Sequence, residues 1–280
     1  MRIFRSSSKH ALELLAGLAI VATAPAAFAA STWSDLSNNA TQCATDTSGT
    51  AGNTVNCGTG TGVPSVKLTA DAFSTTGAGA KFATASVYNT GVAGAGLGVR
   101  AAGDTSDSVD NSGSTDAVRL KFTNAAGTQD ANFNLTSVTL KTAAGAVADF
   151  SLLAWMGPGT PGDIAGMTTG GLFAAGWTNI GSYYGVASGA PVDVTAFNFP
   201  STVGTGGIFS SYWLVSAFNT SFGSAPTTAG DVFTIAAIAG GLDPNAQFKP
   251  AQVPEPGSLA LLGVALAGMA TVRRRKNLRA

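Results

Sequence analysis

The sequence predicts an all-β protein. Its body is expected to be an antiparallel, jelly-roll-like β-sandwich, with an N-terminal signal helix and a short C-terminal transmembrane helix at its ends. Short runs of alternating apolar and polar residues recur along the body, and in AVRLKF (117–122) Arg119 and Lys121 separate the apolar residues, as in a strand with one buried face. Gly, Asn, Asp and Pro punctuate these runs, which is typical of turns. A parallel sheet would need crossover helices, and no long helical periodicity supplies them. The predicted strands are SVKLTADAF, AVRLKF, FNLTSVTL, DFSLLAW, VDVTAF, FSSYWLVSAF and DVFTIAAI.

The first 29 residues have the pattern of a secretory signal peptide. Three basic residues come first, an apolar run follows from Ala11 to about Ala24, and small residues precede a cleavage point after Ala29. Because the apolar run is short and ends at Pro25, we predict a cleaved signal helix rather than a permanent membrane anchor.

Three further segments are predicted after the signal peptide. Residues 30–62 form a Gly-, Ser- and Thr-rich segment, residues 63–250 form the sandwich domain, and residues 251–280 form a terminal sorting segment. Between Ala30 and Val253 the chain carries 7 basic and 13 acidic residues, a net charge of −6. An acidic body argues against nucleic acid as a partner.

The two cysteines, Cys43 and Cys57, lie in the Gly-, Ser- and Thr-rich segment. A signal peptide places them outside the cytoplasm, where disulfides persist, so we predict that they pair. Two cysteines with no neighbouring histidine would make a poor metal site.

The end of the chain combines a proline-rich boundary, an apolar run and a basic cluster. Gly257–Val272 is 16 residues long and uncharged, slightly short of the usual membrane span of about 20 residues. Four basic residues, Arg273 to Lys276, follow directly and would remain on the cytoplasmic side, so the body is expected outside. The alternative is a buried core helix with a solvated basic end. The terminal position and the proline-rich boundary favour the membrane helix.

This tail resembles the PEP-CTERM sorting segment of exported bacterial proteins. The matching residues are Val253, Pro254, Glu255 and Pro256, followed by the apolar helix and by Arg273, Arg274, Arg275 and Lys276. The resemblance implies recognition and cleavage near the Pro-Glu-Pro by an exosortase, a membrane-embedded cysteine protease. It also implies export across the inner membrane, a transient C-terminal membrane anchor, and final placement at the cell surface or in an extracellular matrix. Such proteins occur in Gram-negative bacteria that make exopolysaccharide and biofilm, so exopolysaccharide is an expected partner.

A second stretch, Gly96–Phe122, resembles a pattern shared by a group of exosortase-dependent surface proteins. The pattern is Gly-x-Gly-Val, a loop with Val-Asp-Asn, and an acidic residue before an alternating strand. The matching residues are Gly96, Gly98, Val99, Val109, Asp110, Asn111, Asp116, Val118, Leu120 and Phe122. The histidine that often precedes Val-Asp-Asn is replaced here by Asp107 and Ser108.

The body contains few of the residue types that usually act in catalysis. The only histidine is His10, and the two glutamates, Glu13 and Glu255, lie in the terminal segments. This excludes Ser-His-Asp and Cys-His catalysis from the body, and a glycosidase would need two aspartates. We therefore predict a protein that is not an enzyme, with no catalytic residues. The alternative is a carbohydrate-binding module, which a row of exposed aromatic residues would favour, or a carbohydrate-active hydrolase, which two facing aspartates would favour.

Five oxygen-bearing side chains in the loop Ala101–Asp116 could supply ligands for calcium, the one candidate cofactor. They are Asp104, Asp107, Asp110, Asn111 and Asp116. Calcium takes six to eight oxygen ligands, although the spacing is not that of an EF-hand. The alternative is a turn network, because Asp and Asn side chains commonly bond to their own backbone.

Aromatic residues are concentrated in the second half of the body. Trp155 and Trp213 lie on predicted strands and are expected in the core. Trp177 and Tyr184 follow the Gly-rich segment Met156–Gly171, which is predicted to be a long loop. Because aromatic faces stack on sugar rings, we take Trp177 and Tyr184 as candidate sugar contacts.

Overall fold

The computed structural model describes residues 30–37, 43–62, 66–75, 81–104, 106–195, 207–223 and 230–243. Within these ranges the chain forms thirteen strands and one short helix. In chain order they are β1 Ala30–Trp33, β2 Val55–Thr59, β3 Val66–Thr75, β4 Phe82–Tyr88, β5 Gly98–Arg100, β6 Val109–Asp110, β7 Asp116–Asn124, β8 Phe133–Lys141, β9 Val147–Trp155, α1 Thr169–Ala175, β10 Trp177–Ala187, β11 Pro191–Asp193, β12 Tyr212–Ala217 and β13 Val232–Leu242. The predicted signal helix and the sorting segment lie outside the described residues.

Two antiparallel sheets pack in a sandwich-like arrangement, which confirms the predicted mostly-β architecture. The larger sheet has the order β10-β9-β12-β7-β3-β4-β5, with β2 beside β3. The smaller sheet has the order β1-β13-β8-β11, and β6 pairs with β13. The segment 30–62 contributes a strand to each sheet, because β1 pairs with β13 and β2 pairs with β3.

The two sheets meet at a place that we call the sheet junction. Leu97, which precedes β5 of the larger sheet, exchanges two backbone hydrogen bonds of 2.9 Å with Ile235 in β13 of the smaller sheet. Next to it, Val109–Asp110 (β6) pairs with Val232–Phe233 of β13. Backbone pairing therefore joins the two sheets at this edge, in addition to side-chain packing.

The space between the sheets is filled by a single apolar core. Its largest aromatic group combines Trp33, Phe122 and Phe133, with the two phenylalanine rings stacked at 4.2 Å and the indole 5.6 Å from Phe122. Trp213 is fully buried, and its indole N–H donates to the Phe133 carbonyl at 3.1 Å. Trp213 therefore lies in the core, as the sequence predicts.

A second apolar cluster lies on the other face of the larger sheet. Leu153 and Leu214 project to this side and are covered by Ile164 and Leu172, all four of them fully buried. The predicted loop Met156–Gly171 ends earlier than expected, because α1 begins at Thr169 and its N-cap Thr168 accepts from the Gly171 N–H. Both faces of β9 and β12 are thus buried, which explains their nearly continuous apolar sequences. Within the described ranges, no helix has the length and apolar character needed to cross a membrane.

All seven predicted strands are present, although only Val192 and Asp193 of VDVTAF lie in β11. Six strands were not predicted: β1, β2, β4, β5, β6 and β10. Most of these are short or rich in small residues, so their alternation is weak. In β10 the pairing register with β9 shifts twice, between Asn179 and Gly181 and between Tyr183 and Val186. Such irregularities break the two-residue period that identifies a strand in a sequence.

Cys43 and Cys57 form the predicted disulfide, and both residues are fully buried. The bridge spans 14 positions of sequence and fixes the connection that leads into β2. Closing a loop of this size should contribute roughly 3 kcal/mol by restricting the unfolded chain.

Reduction of this disulfide should lower the free energy of unfolding of the exported protein by about 3 kcal/mol. Urea unfolding with and without a reductant measures the change. A Cys43→Ala/Cys57→Ala variant is the control, because its stability should not respond to reductant. A wild-type protein whose unfolding midpoint is the same in both conditions would contradict this role for the bridge.

Candidate functional site

The structure brings together three of the five oxygen-bearing side chains of the loop between β5 and β7. Carboxylate oxygens of Asp104, Asp110 and Asp116 all lie within 4.8 Å of one another. We call this group the three-aspartate cluster. Asp104 comes from the loop after β5, Asp110 ends β6, and Asp116 begins β7. The cluster therefore adjoins the sheet junction.

One oxygen of each carboxylate accepts a hydrogen bond from a nearby backbone N–H group. The Ser106 N–H donates to Asp104 Oδ1 at 2.8 Å, and the Ser112 N–H donates to Asp110 Oδ1 at 3.0 Å. The Asp110 N–H donates to Asp116 Oδ2 at 3.3 Å. These bonds are of the turn type that the sequence offered as the alternative to metal binding.

Two other carboxylate oxygens of the cluster accept no hydrogen bond from the described residues. Asp104 Oδ2 and Asp116 Oδ1 are buried and have no hydrogen-bond partner among the described residues. Asp116 is 0 % exposed and Asp110 is 2 % exposed. A buried carboxylate oxygen without a partner is costly, so the cluster is incomplete as a turn network.

The pKa values of the cluster reflect this environment. Burial raises the pKa of Asp116 to about 7; the Ser74 hydroxyl and the Asp110 N–H act in the opposite direction, and the neighbouring charges of Asp110 and Asp104 raise the pKa further. Burial also raises the pKa of Asp110, with a further contribution from Asp104. Three carboxylates placed together in this way favour either protons or a bound cation.

The other two sequence candidates make different contacts. Asp107 forms an ion pair with Arg100, whose guanidinium lies 4.0 Å from the centre of the Tyr88 ring. Asn111 donates to Asp231 Oδ2 at 2.7 Å, and its own side-chain oxygen accepts from the Gly230 and Asp231 N–H groups. Asp107 thus anchors the loop to β5, and Asn111 anchors it to the start of β13.

The two glycines of the Gly-x-Gly-Val pattern allow this loop to pack closely. A Cβ atom at Gly98 would lie 1.8 Å from the Asp107 carbonyl oxygen. Gly96 has φ of +79°, and a Cβ there would lie 2.5 Å from Thr234 Oγ1. Larger residues at either position would push the loop away from β5 and β13, and the aspartates with it.

A cavity of about 340 Å³ borders the cluster. Asp104, Ser74 and Ser112 are among the residues that line it. The cavity is large enough for several water molecules, so solvent can reach the side of the cluster where Asp104 lies.

The candidate sugar contacts Trp177 and Tyr184 both lie on strand β10, which begins two residues after α1. Trp177 is 2 % exposed and packs edge-to-face against Trp155 with ring centres 5.8 Å apart, so its face is covered. Tyr184 is 40 % exposed and lies 5.7 Å from the Phe218 ring. Of the two, only Tyr184 retains a surface that a ligand could touch.

A more suitable surface lies at the end of β9. An open groove of about 950 Å³, which we call the Trp155 groove, is lined by Trp155, Met156, Asp130, Asn132 and neighbouring residues. The half-buried Trp155 donates from its indole N–H to the Gly159 carbonyl at 2.8 Å, which fixes the ring. The sequence predicts Trp155 in the core; the structure packs it against the second apolar cluster and leaves it half-buried, so that it also lines the groove.

Asp130 provides the charge of this groove. Its carboxylate accepts from the Tyr212 hydroxyl at 3.1 Å and lies 3.5 Å from Lys121 Nζ. Of the lining residues that the structure describes, Asp130 is the only acidic one.

Asp116 should make stability depend on pH in a buffer that contains a chelator. Its pKa is raised from 3.8 in the unfolded chain to about 7 in the folded protein, so between these values the folded state binds more protons. The free energy of unfolding should therefore fall as pH rises through this range, by up to about 4 kcal/mol. Asp116→Asn, compared with wild type by urea unfolding at each pH, should remove this part of the dependence. Parallel pH profiles for the two proteins would contradict the prediction.

Comparison with known families identifies the C-terminal segment. Residues 252–276 match the PEP-CTERM protein-sorting motif, which includes the predicted sorting residues Val253–Pro256 and Arg273–Lys276. These residues lie outside the part of the chain that the structure describes. Comparison with curated proteins and with solved structures gave no match. The chain therefore ends in a PEP-CTERM sorting motif, and such a motif implies an exported protein that is processed by an exosortase and sorted to the cell surface.

Proposed function

We propose that this chain is a non-enzymatic surface or extracellular-matrix protein that associates with exopolysaccharide after an exosortase releases it from the inner membrane. The observation that carries the proposal is the sorting motif at residues 252–276. A signal peptide at residues 1–29 starts the export, and the apolar segment Gly257–Val272 holds the chain in the membrane until it is cut. Prolines on both sides of Glu255 disfavour helix at the motif, and an extended chain suits a protease.

The chemistry of the Trp155 groove supports a role without catalysis. A glycosidase needs two carboxyl groups on either side of the scissile bond, whereas Asp130 is the only acidic residue among the described residues of the Trp155 groove. Two other aspartates, Asp149 and Asp231, are buried near each other. Asp149 accepts from the Gly185 N–H and Asp231 accepts from the Asp149 N–H, both at 2.7 Å. These bonds are consistent with structural roles.

A carbohydrate-binding module is the second candidate, and the Trp155 groove favours it. The groove combines one aromatic ring with the amide, hydroxyl and carboxylate groups of Asn132, Ser211 and Asp130. Aromatic faces contact the apolar side of a sugar ring, and polar groups at the edge bond to its hydroxyls. An open groove also suits a long polymer, which must enter from the side.

Exosortase processing should remove the basic end of the chain. Intact-mass measurement of the protein from wild-type cells should give a chain that begins at Ala30 and lacks Arg273–Lys276. Protein from cells without their exosortase should begin at the same residue but retain these four basic residues. A wild-type product that still carries them would contradict the proposed sorting.

Polysaccharide binding should depend on the Trp155 groove. We expect Trp155→Ala to weaken binding of the exported protein to its own purified exopolysaccharide by about 3- to 10-fold. Asn132→Ala, at an exposed position of the same groove, tests the site without removing the packing of Trp155 on Trp177. Affinity electrophoresis in gels containing the polymer gives the dissociation constants.

Tyr184→Ala is the matched control, because it removes an exposed aromatic residue that does not line the groove. It should leave binding unchanged. Equal binding by wild type, Trp155→Ala and Asn132→Ala would remove the groove as the binding site. Loss of binding in Tyr184→Ala alone would move the site to β10.

A further inference from the structure

We propose that Asp104, Asp110 and Asp116 bind one divalent calcium ion at the sheet junction. Their carboxylate oxygens converge within 4.8 Å of one another. Independently of this clustering, Asp116 Oδ1 and Asp104 Oδ2 are buried without a hydrogen-bond partner among the described residues, and Asp116 is 0 % exposed. A cation would supply the partner that these oxygens require.

The charge distribution around the cluster supports this assignment. Three ion pairs are formed by the described residues, Arg100–Asp107, Arg119–Asp71 and Lys121–Asp130. Each of them uses an aspartate outside the cluster. The negative charges of Asp104, Asp110 and Asp116 are therefore not neutralised by these basic side chains, and buried charge without compensation is strongly unfavourable.

The ligand chemistry favours calcium over magnesium. Calcium binds six to eight oxygens at about 2.3–2.6 Å, so two ligands on opposite sides of the ion lie about 5 Å apart. The oxygens of the cluster all lie within 4.8 Å of one another, which is compatible with this span. Magnesium requires an octahedron at about 2.0–2.1 Å and keeps most of its water. The cavity beside Asp104 has room for the waters that would complete a calcium shell.

The position of the cluster indicates what the ion does. Asp110 pairs with Val232 of β13 in the smaller sheet, whereas Asp116 pairs with Ser74 of β3 in the larger sheet. An ion shared by the two carboxylates links the sheets, and Asp104 adds the loop after β5. Calcium sites of extracellular modules commonly have dissociation constants of about 0.1–1 mM, so such a site would fill after export, where calcium is abundant.

Calcium titration of the exported protein tests the proposal. The protein is purified in chelator, and the probe is the metal alone. Calorimetry should give one site per chain, and calcium at 100 times its dissociation constant should raise the melting midpoint by about 5 °C or more. Magnesium at the same concentration should give a clearly smaller shift. A wild-type midpoint that does not respond to calcium would overturn the proposal.

Variants separate a metal site from a turn network. Asp110→Asn and Asp116→Asn should lose the response to calcium, whereas Asp107→Asn should keep it although it lies in the same loop. In chelator, Asp116→Asn should melt at the wild-type temperature or above, because it removes an uncompensated charge. If the variant instead melts well below wild type in chelator and responds to calcium as wild type does, the carboxylates have a purely structural role and the proposal fails.

Discussion

The architecture depends on the backbone pairing that joins the two sheets at β5, β6 and β13. Leu97 and Ile235 connect the sheets directly, and Val109–Asp110 pairs beside them. This junction forces the loop between β5 and β7 into a small space, where Gly98 has no room for a side chain. The loop must then turn with its aspartates inward, because the carboxylates supply the acceptors for its own backbone N–H groups.

The three inward-facing carboxylates lie close together at the sheet junction, so their negative charges repel one another. One oxygen of each carboxylate accepts a hydrogen bond from the loop backbone, and Asp104 Oδ2 and Asp116 Oδ1 are buried without a hydrogen-bond partner among the described residues. A protein made only of packed strands would not need this arrangement, which costs stability unless protons or a cation compensate it. The sorting motif implies that the protein is exported. An exported chain reaches a compartment in which calcium is available, so the proposed ion would bind after export.

The sequence predicted the strands whose alternation is strong, such as β7, β12 and β13, and it predicted the Cys43–Cys57 disulfide. It could not predict β10, because bulges disrupt the two-residue period of this strand. The sequence of the acidic loop likewise could not show which of its candidate ligands come together. The composition of the loop indicated five possible oxygen ligands. Only the fold shows that Asp107 instead forms an ion pair with Arg100 and that Asn111 hydrogen-bonds to Asp231 before β13. Trp155 was predicted in the core and does pack against the second apolar cluster, but alternation alone could not show that half of it would remain exposed.

A crystal structure of the exported protein grown with calcium, with the ion located by its anomalous scattering, would test the proposed calcium site directly. We expect one anomalous peak about 2.3–2.6 Å from carboxylate oxygens of Asp104, Asp110 and Asp116, with water completing the shell on the side of the cavity. An ordered junction without such a peak, in which these carboxylates bond only to one another and to the backbone, would contradict it.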